Sequence, residues 1–120
     1  MHKQKDDISI SQMLELSRKL WEQYKEFWTP REPEFGRDYV LYMIEEIGEA
    51  ISIIKKKGED DIMHNAQVRD HFVEELCDIV MFFSDVLNSY DISAEEFSKA
   101  YMKKMDYNMT RWKSTKKKAN

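Results

Sequence analysis

Two stretches of the chain, 35–57 and 68–90, place apolar residues at intervals of three and four and contain no proline. That spacing is the signature of a helix with one apolar face. Each stretch is long enough to reach across a small domain, so the fold must be organised around two long helices. The only two prolines, Pro30 and Pro33, lie together ahead of the first stretch, and glycine occurs just three times in 120 residues. So few turn-forming residues exclude a turn-rich β architecture.

Two shorter helices complete the pattern. One is expected over 9–27, where Ser9 and Gln12 form a capping box and the proline-bearing segment "WTPREPEFG" ends the helix. The other is expected over 93–112, with Ser93 and Glu96 as a second capping box. The stretch at 35–57 is expected to stop at Gly58, with "GEDDIMHNAQ" as a polar loop before the next helix. The result is an all-α, four-helix bundle forming a single domain over 1–112. The basic residues 113–120 are expected to be a disordered tail.

The charge pattern within the two long helices is unusual. Set Glu46 at zero and advance about 100° per residue. Val40, Met43, Ile44, Ile47, Ile51 and Ile54 then fall between about 60° and 160°, a stripe expected to face the core, with Glu49 at about 300°. From Glu75, the residues Phe72, Leu76, Ile79, Val80, Phe83, Val86 and Leu87 fall between about 20° and 140°, with Asp78 at about 300°. Each stripe is thus flanked on the same side by two carboxylates one turn apart. If the helices pack antiparallel, Glu46, Glu49, Glu75 and Asp78 converge along one groove. Carboxylates crowded a few ångströms apart repel by about 4 kcal/mol per pair at intermediate dielectric. Either their pKa values rise or a cation neutralises them. An all-oxygen set suits Mg²⁺, with Mn²⁺ as the alternative, and Mg²⁺ sites commonly include substrate phosphates.

These residues resemble the MazG-like all-α nucleotide pyrophosphohydrolase superfamily, whose signature is E-E-x-x-E followed by E-x-x-D. Here it reads "EEIGE" (Glu45, Glu46, Glu49) and "ELCD" (Glu75, Asp78). The segment "KMDYNMTRW" is similar to the K-x-x-x-N-x-x-R ending of the family, at Lys104, Asn108 and Arg111. "FWTPRE" loosely resembles an F-H-T-P-R-N segment, with Trp28 in place of His, and Phe82 stands where many members carry Tyr. The resemblance implies a nucleoside triphosphate substrate, cleaved between the α and β phosphates to monophosphate and pyrophosphate in nucleotide-pool housecleaning. It implies metal ligation by Glu46, Glu49, Glu75 and Asp78, proton acceptance by Glu45 or a ligating glutamate, and phosphate or sugar contacts from Lys104, Asn108 and Arg111. A homodimer or homotetramer is also implied. Trp28, by stacking on a base, and His71, by bonding a phosphate or a ligating carboxylate, are further substrate-binding candidates.

Three other readings compete. Phosphoribosyl-ATP pyrophosphohydrolase and dimeric dUTPase are near relatives that share the motif, and a helical interaction module with no chemistry is the third. A di-iron bundle expects Glu-x-x-His pairs, but Asp61 and Val68 stand three residues before His64 and His71. A net charge of −4 argues against nucleic-acid binding. The single cysteine, Cys77, is expected in the core and excludes a disulfide framework. No apolar run is long enough to span a bilayer, so a soluble cytoplasmic protein is expected.

Overall fold

The computed structural model describes residues 6–119, with side chains through Arg111. It contains α1 (Ile10–Tyr24), a 3₁₀ turn (Pro33–Phe35), α2 (Gly36–His64), α3 (Ala66–Ser89) and α4 (Ala94–Ala119). Among the described residues there is no strand. No described helix is long and apolar enough to cross a membrane.

The capping box expected at Ser9 is present: its hydroxyl accepts from Gln12 N at 3.1 Å, and its own N–H donates to Gln12 Oε1 at 2.7 Å. The helix stops at Tyr24, short of the expected Phe27, because the amides of Phe27 and Trp28 both turn back to the Tyr24 carbonyl. Ser93 likewise caps α4, accepting from Glu96 N at 3.1 Å. The α4 backbone is helical to Ala119, past the expected end near Trp112. The side chains of the expected tail, 113–120, lie outside the described residues.

The connection between the two long helices differs from the expected polar loop. Gly58 does leave helical geometry, at φ 83° and ψ 167°, in the region that favours glycine. The chain then resumes its helix as far as His64, with Ile62 buried. Asn65 supplies the cap that sequence reasoning missed, accepting from the amides of Gln67 and Val68. An apolar anchor at Ile62 and a cap at Asn65 thus shorten the link to a single residue. The helices fold back antiparallel: stepping from Glu46 back to Tyr42 on α2 leads from the neighbourhood of Glu75 and Asp78 to Phe82 on α3.

The α2–α3 contact runs along the carboxylate-bearing flank, through Tyr39, Ala50 and Ile53, all buried. Ser84 on α3 is buried too, its hydroxyl bonded to the Val80 carbonyl. The isoleucine stripe expected in the core lies outward instead: Ile44, Ile47, Ile51 and Ile54 are each at least 41% exposed. Ala50 lies buried on the carboxylate-bearing flank, where a small side chain lets two helices pack closely. Cys77 is a free thiol and exposed, again contrary to expectation.

Across α3 packs α1, centred on Leu14, the most deeply buried side chain. Asn88 bonds the Leu14 carbonyl, and Arg18 donates to Asn88. The fourth helix touches α1 and reaches α3 where Phe97 meets Phe83, ring centroids 5.4 Å apart.

Candidate metal and nucleotide site

Three of the four predicted ligands meet. Oxygens of Glu46, Glu75 and Asp78 all lie within 4.8 Å of one another, each side chain half-buried. Helix geometry explains it: Glu75 and Asp78 are one turn apart on α3, and the antiparallel register sets Glu46 opposite them. The Glu46 carboxyl is pushed above the ordinary carboxylate range, first by a hydrogen bond shared with Glu75, then by desolvation and the charges of Asp78, Glu75 and Glu49. Glu75 Oε2 is buried and has no hydrogen-bond partner if its neighbours are ionised. A proton shared with Glu46, or a cation, satisfies that oxygen. A hard divalent ion fits this all-carboxylate set on both counts, charge and the orphaned oxygen.

His71 stands behind the cluster, with Nε2 3.3 Å from Glu75 Oε1. The structure therefore places this predicted residue on a candidate ligand. Glu49, one turn from Glu46, is exposed and lies outside the three-carboxylate group. It lines a shallow neighbouring pocket with Lys56, Lys57 and His71. Glu45 is exposed. On α4, Lys104 and Arg111 both lie over the Tyr107 ring, 5.3 and 5.5 Å from its centroid. Asn108 Oδ1 is buried with no hydrogen-bond partner. The carboxylate group itself is built from α2 and α3 alone.

One turn along from the acids is an aromatic cleft of about 380 Å³, lined by Phe27, Trp28, Thr29, Tyr39, Tyr42, Phe82 and Asp85. Trp28 stacks on Tyr24 at 5.1 Å, and Tyr42 meets Phe82 at 5.6 Å. Thr29 ties this wall together. Its carbonyl accepts from Trp21 Nε1 and from the Tyr39 hydroxyl, and its side-chain oxygen bonds the Tyr42 hydroxyl at 2.9 Å. Burial pushes the Tyr39 phenol up to about 12, so it stays a donor. Below the cleft, Arg31 forms a 3.0 Å ion pair with Asp85 and bonds Ser17.

Sequence reasoning missed Arg31, Thr29, Tyr39 and Asp85. Asp85 stands seven residues after Asp78, hence on the same helix face, which was the available signal. The linker residues carry no period that points to α3.

The family model of the MazG nucleotide pyrophosphohydrolase domain matches residues 36–109. The chain belongs to the MazG nucleotide pyrophosphohydrolase family. Comparison with curated proteins and with solved structures yields no match. The match takes in both acid pairs and the Lys104–Asn108 segment of this MazG domain. Phe27, Trp28 and Thr29, which line the aromatic cleft, precede it. The cleft of this MazG domain is thus completed by residues upstream of the family's matched region.

Proposed function

We propose that this chain is a Mg²⁺-dependent hydrolase that cleaves nucleoside triphosphates between the α and β phosphates, releasing a monophosphate and pyrophosphate. Family membership supports nucleotide pyrophosphohydrolysis as the reaction class. The observation that carries the metal-dependent reading is the meeting of Glu46, Glu75 and Asp78 around a buried, unsatisfied carboxylate oxygen.

Glu46, Glu75 and Asp78 would hold the cation, with Glu49, one turn from Glu46, as the fourth proposed ligand. A Mg²⁺ bound there would neutralise phosphate charge and lower the pKa of a water. A water oxygen bonds to the α-phosphorus as the bond from that phosphorus to the bridging oxygen breaks. Pyrophosphate leaves with the bridging oxygen. The water's proton passes to a carboxylate, Glu45 or one of the ligating glutamates. His71 orients Glu75 by its 3.3 Å contact. Trp28, Tyr42 and Phe82 offer faces on which a base can stack.

Lys104, Asn108 and Arg111 are the proposed phosphate and sugar contacts. Because α4 does not line the α2–α3 cluster, they would reach the cluster of a second copy, making the working form a homo-oligomer. The exposed stripe Ile44, Ile47, Ile51 and Ile54 supports this, since apolar surface so arranged gains from being covered. A cytoplasmic role in clearing the nucleotide pool fits the free thiol of Cys77.

The test is a panel of nucleoside triphosphates with Mg²⁺, scored for pyrophosphate against orthophosphate. Pyrophosphate in equal amount to the monophosphate is expected. Orthophosphate as the sole released phosphate overturns α–β cleavage.

A further inference from the structure

We propose that Asp85 selects the nucleobase: its free carboxylate oxygen, Oδ2, accepts a hydrogen bond from an exocyclic amino group on a base seated in the aromatic cleft. This rests on the nucleotide reading above and adds to it a substrate class, nucleoside triphosphates with amino-bearing bases.

Position comes first. Tyr42 precedes Glu46 by one helical turn, and Phe82 follows Asp78 by one turn, so the cleft begins about 6 Å along the bundle from the acids. With phosphates gathered at Glu46, Glu75 and Asp78, the aromatic cleft would lie within reach of the rest of the nucleotide. The walls there are aromatic on both sides, from Phe27 and Trp28 in the linker and from Tyr42 and Phe82 on the two helices. Such walls hold any planar base and do not distinguish one from another.

Discrimination must then come from the polar groups of the lining, and most of these are already committed. The Tyr39 hydroxyl donates to the Thr29 carbonyl, and the Thr29 and Tyr42 hydroxyls bond each other. Asp85 is the only carboxylate among the lining residues. Its partners, Arg31 Nη2 and Ser17 Oγ, both meet Oδ1 at 3.0 Å, and among the described residues no hydrogen bond reaches Oδ2.

The pair is built to hold that oxygen in place. The Arg31 side chain is 6% exposed and that of Asp85 is 17% exposed, so the carboxylate is fixed by a buried cation from one side. Burial raises the Asp85 carboxyl above its ordinary range on balance, while the 3.0 Å contacts from Arg31 and Ser17 are those of a carboxylate held as an acceptor. An ionised carboxylate only accepts. An amino group at the matching edge of the base donates to it. A carbonyl at the same place sets two acceptors against each other and leaves both desolvated.

The experiment uses the full chain with Mg²⁺ and compares kcat/KM for two substrate pairs. The first is dCTP against the triphosphate of 2-pyrimidinone deoxyriboside, which lacks only the amino group. The second is dATP against the triphosphate of unsubstituted purine deoxyriboside. Removing the amino group from the better-used base is expected to lower kcat/KM by about tenfold or more. Asp85→Asn keeps an oxygen for Arg31 and Ser17 and turns the free acceptor into a donor. In that variant the loss is expected to shrink to within about twofold, with dUTP use rising. If Asp85→Asn does not fold, the substrate pairs decide on the unaltered chain. Equal kcat/KM within each pair overturns the role of Asp85 and leaves pyrophosphohydrolysis standing. Failure of every triphosphate to yield pyrophosphate overturns both.

Discussion

Carboxylate oxygens of Glu46 on α2 and Glu75 on α3 lie within 4.8 Å of each other, close enough that two ionised groups repel. That crowding, with desolvation, pushes the Glu46 carboxyl above the ordinary carboxylate range, and a cation between the two would relieve it. Folding therefore raises the affinity of Glu46 for a proton. The sign follows directly: a carboxyl raised above its unfolded value near 4.5 leaves the fold most stable below that value, and the fold loses stability as pH climbs through the raised value. Without metal, Glu46→Gln is expected to raise the melting temperature at pH 7, with the gain vanishing near pH 4. With Mg²⁺ the unaltered chain should gain stability and the variant should not. Scanning calorimetry with and without Mg²⁺ checks both arms.

Removing the proposed ligands should weaken metal binding in a graded way. Glu75→Gln and Asp78→Asn each delete a first contact, while His71→Ala deletes only the group behind Glu75. The histidine variant is expected to lose about 10- to 100-fold in Mn²⁺ affinity, and the two ligand variants at least as much. Glu49→Gln should lower the hydrolysis rate at saturating Mg²⁺; an unchanged rate would remove Glu49 from the ligand set. Paramagnetic resonance titration with Mn²⁺ reads the affinities.

The Arg31–Asp85 pair has a structural cost when broken on one side. Arg31→Ala leaves a half-buried carboxylate without its counter-charge, so a loss of about 3–5 kcal/mol in unfolding free energy is expected. Lowering the pH should recover part of that loss, because protonating Asp85 removes the stranded charge. Guanidinium denaturation at two pH values measures it.

Covering the isoleucine stripe predicts association. Light scattering should give a mass that is a multiple of 14.5 kDa. The double change Ile47→Glu and Ile51→Glu should give a monomer that keeps its helical circular dichroism. Persistence of the oligomer places the contact elsewhere.

The helices, two of the caps and the convergence of three acids were legible in the sequence because each depends on local spacing. A period of 3.6 sets which residues share a face, and capping residues act within a turn of themselves. What was not legible depended on distance along the chain. The isoleucine stripe and the carboxylate flank are both apolar enough to pack, and the sequence alone does not say which one meets α3. Burial of Ala50 and exposure of Ile47 decide it. The linker was opaque for a different reason. Thr29 and Arg31 act through a carbonyl, a hydroxyl and a long cationic side chain reaching other elements, and none of these leaves a periodic trace.

One helix carries Glu75, Asp78, Phe82 and Asp85 at successive turns, so in the proposed reading α3 is a rigid ruler laid beside the substrate. The span from Asp78 to Asp85 is about 10 Å and cannot stretch. Insertion of one residue between them would swing Asp85 by about 100° away from the cleft while leaving the acids where they are. If Asp85 reads the base as proposed, descendants of this chain would alter which nucleotides they accept by exchanging single side chains along α3, not by lengthening or shortening it.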